Sequence, residues 1–433
     1  MDTENTPALT QQHSRQDVRR SFILGVANGS LFRLAETMIE PSIILTWFVS
    51  QLTTSNFLIG LVIPLTNAGW FLPQLLFSPL IHRRRRKMPV YAVSAVVRVL
   101  SWLSLAGVIW LSTSDVACLV SFFVLYTMAR LASGPAGVVF FDVVAKTIPA
   151  RRRGRFFAWR FLLGGLLGLL GGAIVNRILS HPVLVFPRGH ASLFLLYGLI
   201  AVPAFATFTA IDEPLGAGSN EAFTLRDILD RSRDILSENR VYRRFLLTRM
   251  TVVMAGMALP FYTVYAKNVL NAPESMAGIY VAVRVGAQLI ANLPWGWFSD
   301  RYGNRLVLKI QIILNGANVI TALVLAMVVS AFHFEGPWLP YLALPLFFID
   351  GAVIPSYIMG GSNYLIELVP EEERTVYTGL TNTSLGVIIL TTSVGGLIVD
   401  LVGFSALFTA AAGFYILGFL LAGDLPEPRD GMG

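Results

Sequence analysis

The stretch RLAETMIEP, residues 33–41, sets Arg33, Glu36 and Glu40 inside a run that is otherwise apolar from about Ser21 to Val49. A run of that length crosses a bilayer as a helix, where an isolated charge at mid-depth costs about 2.5–3.5 kcal/mol on insertion scales. At 100° per residue the three charges fall within about 60° of one another, with Thr37 beside them. A narrow polar stripe on an apolar helix must face a partner or water instead of lipid. Arg33 stands one turn from Glu36 and is expected to offset it. Pro41 interrupts the helix, so a bend is expected there.

Composition extends this reading to the whole chain. Of 433 residues, 55% are hydrophobic and 14% charged, with mean hydropathy +0.64. A soluble domain carries about 25% charge, so a polytopic all-α membrane protein is expected. Segments able to cross a core of about 30 Å lie near 21–49, 57–81, 88–112, 116–147, 156–180, 190–211, 245–267, 275–299, 306–331, 339–368, 376–400 and 404–423. The first is too long for a signal-peptide core and reads as a retained span. The single cysteine, Cys118, offers no disulfide and no metal site, so no cofactor is expected. The chain has no Walker-type G-x-x-x-x-G-K-[ST], which excludes ATP as the driving force, and no nucleophile–base or metal spacing that points to an enzyme.

The net charge of +7 is distributed as topology, not as a nucleic-acid surface. With the N-terminus inside, the inner loops collect the run Arg83–Lys87, Lys146, Arg151–Arg153, Arg155 and six arginines between 226 and 244, whereas the outer loops hold only Arg177, Arg188 and Lys267. Both termini are expected in the cytoplasm, the protein in the plasma (inner) membrane, and the basic loops against anionic lipid. The chain also repeats: TIPARRRGRFF (147–157) mirrors LVPEEERTVYT (368–378) at an offset of 221. The expected organisation is a tail over 1–20, a six-span bundle over 21–211, a linker over 212–244, a second bundle over 245–423 and a tail over 424–433. Within the linker, Leu225, Ile228, Leu229, Ile235 and Leu236 are spaced as in a short amphipathic helix, lying on the membrane or in solvent.

Twelve spans in two halves with a charged central loop resemble the major facilitator superfamily of secondary transporters, and three motifs sharpen the likeness. GWFSDRYGNR, Gly296 to Arg305, is similar to the family's loop signature G-x-L-a-D-r-x-G-r-k. In it Gly296 is expected to allow close packing and Gly303 to turn the chain. Asp300 would meet a facing helix N-terminus, and Arg301 and Arg305 would bridge to acids. ELVPEEER places Glu367 seven residues before Arg374, like the glutamate–arginine pair of sugar porters, and RLASGPAG sets Arg130 and Gly134 in register with R-x-x-q-G-x-g-a. The loop after span 2, SPLIHRRRRK, departs from the signature with His82 in place of Asp, and GGLLGLLGG in span 5 lacks the proline signature of drug/proton antiporters.

The resemblance implies that spans 1, 4, 7 and 10 line a central cavity, which places the stripe of Arg33, Glu36 and Glu40 there. Span 4 repeats the design with Tyr126, Arg130, Ser133, Gly134 and Gly137 on one face, and span 10 with Asp350, Tyr357 and Tyr364. Span 8 stacks Tyr280, Arg284, Gln288 and Trp295. Span 2 stacks Asn67, Trp70, Phe71 and Gln74, and span 7 adds Tyr262 and Tyr265. Simpler readings stand beside these: a static Arg33–Glu36 bridge, Arg98 as partner of Glu36 or Asp142, Arg284 at the outer surface, and glycines 164, 168 and 172 as a packing stripe. The function expected is proton-coupled efflux of a small amphipathic organic molecule by a monomer, with Glu36, Glu40 and Asp350 as proton-coupling candidates. An organic-anion carrier and a transport-inactive sensor or scaffold are the other readings.

Overall fold

A computed structural model describes residues 15–215 and 225–431. Residues 1–14, 216–224 and 432–433, and the side chains of 15, 75, 76, 78–80, 82, 225–231, 372, 375, 430 and 431, lie outside the described set. Among the described residues twelve helices are long and apolar enough to cross a membrane. In the first half, spans 1 to 6 are Gln16–Leu52, Asn56–Gln74, Met88–Leu111, Asp115–Thr147, Ala150–Leu179 and Arg188–Thr209. In the second half, spans 7 to 12 are Arg240–Asn268, Met276–Tyr302, Asn304–Phe332, Leu339–Leu368, Val376–Val402 and Phe404–Gly423. Between them lies a helix at Leu225–Glu238, whose amphipathic pattern the spacing of its apolar residues predicts.

Each half packs as a six-helix bundle. Span 1 lies against spans 5 and 6, and span 3 against spans 4 and 6. In the second half span 12 lies against spans 7 and 9, and span 8 against span 10. Span 5 meets span 8 across the seam, and span 2 meets span 11. Leu293 and Leu401, both 82% exposed, show the apolar outer surface that a bilayer requires.

The seam is asymmetric along its length. At the end remote from the chain termini, the far end, the halves touch backbone to backbone. A Cβ added to Gly278 of span 8 would lie 2.6 Å from Asn176 Cα of span 5, so only glycine permits this approach. The stripe of Gly164, Gly168 and Gly172 packs on Arg33, Val285 and Ala282 respectively. Toward the terminal end the glycines make no such approach: Gly154, Gly296 and Gly379, in spans 5, 8 and 11, have no atom within 4 Å of a built Cβ. Gly296 therefore makes no close helix contact here, contrary to its expected role.

Candidate functional site

The site starts where span 1 breaks. Pro41 lacks an N–H and pushes the residue before it out of helical geometry, so Glu40 takes φ −55° and ψ 119°. Its carboxylate accepts the N–H of Ile43 at 2.8 Å and the Ser42 hydroxyl at 2.9 Å, capping a π-helical turn at Pro41–Leu45. The bend expected at Pro41 is present, and it sends the two glutamates to different partners.

Glu36 turns into the first half. Arg98 of span 3 donates to it at 3.0 Å, Arg130 of span 4 at 3.2 Å and the Tyr197 hydroxyl of span 6 at 3.4 Å. Arg98 also donates to Tyr197 at 3.2 Å and lies between the rings of Phe32 and Phe205, 4.9 and 5.0 Å from their centroids. One carboxylate thus serves two guanidiniums. Glu40 faces the seam, where Arg284 of span 8 approaches it at 3.1 Å and donates to Asp350 of span 10 at 2.5 Å. Here one guanidinium serves two carboxylates. In both clusters the buried charges are paired, so removing either partner would leave an uncompensated ion.

Several expectations are corrected. Arg33 acts on Glu36 only through its field and makes no direct ion pair with it; it donates across the seam to Gln288, while Arg98 and Arg130 take Glu36. Arg284 is inside the seam and not at the outer surface. Tyr357 hydrogen-bonds Asn315 at 3.4 Å, but Tyr364 leaves the shared face, because the π-turn at Tyr357–Asn363 rotates it onto Phe245 and the Pro426 carbonyl. Tyr265 donates to the Leu325 carbonyl and Tyr262 packs on Phe408, so both belong to the second half's own core. Tyr126 ties span 4 to span 2 through the Val62 carbonyl and Thr66. Asn67 and Gln74 are half-buried, and among the described residues neither bonds to the two clusters.

The gate motif is also rearranged at the terminal end. Glu367 is held by Arg429 at 2.7 Å, not by Arg374, which donates instead to the Ile366 carbonyl. Arg429 is held more firmly protonated than usual by Glu367. The Asp300 side chain is exposed and meets no facing helix, its backbone carbonyl accepting from Arg429. Arg301 stacks on Trp297 and Tyr302, and Arg305 donates to the Gly423 carbonyl, so among the described residues neither bridges an acid. Gly303 does turn the chain, at φ 81°. The first half's basic rim also carries acids: Glu213 accepts the N–H groups of Lys87 and Met88 and pairs with Lys146, and Asp142 pairs with Lys87 and Lys146.

Seven cross-seam bonds stand out, all level with Arg33 or beyond it toward the far end. Besides Arg33–Gln288 and Glu40–Arg284, they are Thr263 to the Ser42 carbonyl (2.7 Å), Lys267 to the Ser50 carbonyl (2.8 Å), Asn56 to Asp400 (2.8 Å), Asn176 to the Ser275 carbonyl (2.9 Å) and His190 with Glu274 (2.9 Å).

Known proteins share this architecture. The sequence model of the Major Facilitator Superfamily matches residues 244–431. The crystal structure of a D-xylose–proton symporter superposes with a TM-score of 0.71 at 15% identity, covering 95% of this chain and 99% of its own. The second half of the chain thus matches the Major Facilitator Superfamily, and the whole chain has the fold of these transporters. An inward-open structure of the xylose transporter from E. coli aligns with a TM-score of 0.65 at 14% identity over 95% of this chain and 96% of its own. Among sequences, sugar efflux transporter A of Dickeya chrysanthemi is 28% identical over 189 residues, 43% of this chain and 43% of its own length. An uncharacterised protein of Mycobacterium tuberculosis is 23% identical over 78% of this chain, which spans 64% of that relative.

Within this facilitator fold, sequence reasoning missed Tyr197, Arg249 and the His190–Glu274 pair. Helical spacing reports a face, not the neighbour it meets: Arg249 shares its helix with Arg240, Arg243 and Arg244, and Glu274 lies in the turn before span 8. Arg249 of span 7 packs on Gly361 of span 10, and its Nη1 is buried with no hydrogen-bond partner.

Proposed function

We propose that this chain is a proton-coupled secondary transporter that moves a small amphipathic organic molecule by alternating access. The observation that carries the reading is the uneven seam, whose cross-seam bonds among the described residues run from Arg33 to the far end, with the charged clusters at their inner limit. The Lys and Arg distribution supports a cytoplasmic terminal end, which makes this arrangement inward-open in the plasma membrane. The sugar efflux relative supports outward movement.

Glu40 is the better of the two glutamate candidates for the coupling proton. A proton on Glu40 competes with Arg284 and loosens a bond that joins the halves, whereas a proton on Glu36 loosens bonds within one half. In proteoliposomes tested with a panel of sugars and aromatic acids, Glu40→Gln should abolish flux driven by a pH gradient and keep exchange without one. Glu36→Gln should impair both. Full gradient-driven flux in both variants would overturn proton coupling through this stripe.

A further inference from the structure

We infer that the transported molecule carries an acidic group, a carboxylate or a phosphate, which docks on the unpartnered edge of Arg130, with Arg249 of the other half as a second, unpaired cation. This rests on the transporter reading above and names the substrate class of the same cavity. Five arginines stand about the clusters, Arg33, Arg98, Arg130, Arg249 and Arg284, against three acids, Glu36, Glu40 and Asp350. Each of the three acids is already bonded to a guanidinium. Among the described residues, Arg33 and Arg249 have no carboxylate within ion-pair distance. The cavity therefore keeps a cationic excess and no spare acid for a cationic solute.

The geometry of Arg130 makes the excess specific. Its Nη1 donates to Glu36, but its Nε and Nη2 are buried with no partner, although the residue is only 6% exposed. Those two N–H groups lie on one edge of the guanidinium and point in parallel, the arrangement that grips both oxygens of a carboxylate or two of a phosphate. An acid can dock there without displacing Glu36. Around that edge the Tyr126 ring lies 5.2 Å from the guanidinium, and the Trp70 ring packs over Gly137 two turns along the helix. These surfaces suit an apolar or aromatic body on the anion. In the other half, Arg249 has a buried Nη1 with no hydrogen-bond partner beside the π-turn of span 10, and Tyr357 stands in the field of Arg249, Arg284 and Asp350.

The test uses the purified full chain in neutral detergent, with isothermal titration of four probes that share one ring: benzoate, phenyl phosphate, benzyl alcohol and benzyltrimethylammonium. Benzoate or phenyl phosphate should bind, and the neutral and cationic probes should not; which anion binds more tightly decides between carboxylate and phosphate. Arg130→Lys keeps the charge but loses the fork and should weaken the bound anion about tenfold or more. Arg249→Gln lies outside the Glu36 network, so it tests the site even if the Arg130 variant fails to fold, and should weaken the anion about threefold to tenfold. Equal or tighter binding of the cation or the alcohol, no binding of either anion, or unchanged anion affinity in Arg249→Gln and in any folded Arg130→Lys would overturn the inference. Gradient-driven flux of a neutral or cationic solute would sink it while sparing the transporter reading; anion binding without flux would do the reverse.

Discussion

The two charge clusters are opposites built from the same parts. In the first half one carboxylate, Glu36, stands between Arg98 and Arg130; at the seam one guanidinium, Arg284, stands between Glu40 and Asp350. The first cluster draws only on spans 1, 3, 4 and 6 and is closed within one bundle. The second ties span 1 to spans 8 and 10. When two rigid halves rock, bonds inside a half survive and bonds between halves break. The difference assigns Glu36 to holding the first bundle and presenting Arg130, and Arg284 to holding the far end shut.

The largest effect that separates the clusters should come from Glu36→Gln. It strands two buried guanidiniums at once, and loss of one partner of a buried pair costs about 3–5 kcal/mol. Asp350→Asn leaves Arg284 with Glu40 and should cost less than half as much. Thermal melts in detergent compare the two directly. Equal losses would mean that the first cluster is no more structural than the second.

An intermediate effect is expected inside the terminal rim, where the last glutamates of the two halves differ. Glu213 accepts backbone N–H groups at the start of span 3 and pairs with Lys146, so Glu213→Gln should cost about 1–2 kcal/mol. Glu427 occupies the matching place beside Gly303, at the start of span 9, but burial pushes its carboxyl above the ordinary carboxylate range. A raised folded value means that its contribution is full at acid pH and lost as pH rises through that value. Glu427→Gln should therefore leave the melt unchanged at acid pH and raise it slightly at neutral pH. A lower neutral-pH melt than the wild type would contradict this.

The smallest effect is expected at the far-end rim. Glu274→Gln removes the partner of fully buried His190 and one of seven cross-seam bonds, so alkylation of a cysteine placed at Ser50 should speed up only about threefold. No change would remove this pair from the seal.

Much of this was legible in the residues. Length and hydropathy gave twelve spans, and the 100° spacing placed Arg33, Glu36 and Glu40 on one face. Pro41 announced the break, and Arg98 was expected as a partner for Glu36 or Asp142. Partner choice was not legible. Arg33 had Glu36 one turn away and took Gln288, 255 residues away, because the break at Glu40 and the packing of span 1 against span 8 set which neighbour lay within reach. Glu367 took Arg429 and not Arg374 for a similar reason: the chain after span 12 folds back beneath span 10 and brings Arg429 closer than the local motif does. Tyr364 left its predicted face because a π-turn adds a residue to the repeat on which that face was counted.

The most direct test of the seam account is a pair of spin-label distances, one between Thr54 and Asn268 at the far end and one between Arg85 and Glu371 at the terminal end, all four exposed. The natural cysteine, Cys118, is buried. The wild type should give a short, narrow far-end distance and a long terminal-end distance. Arg284→Ala should lengthen the first and shorten the second, while Glu36→Gln, where folded, should move neither. Unchanged distances in Arg284→Ala, or an equal shift in Glu36→Gln, would contradict the assignment of the seam cluster as the lock.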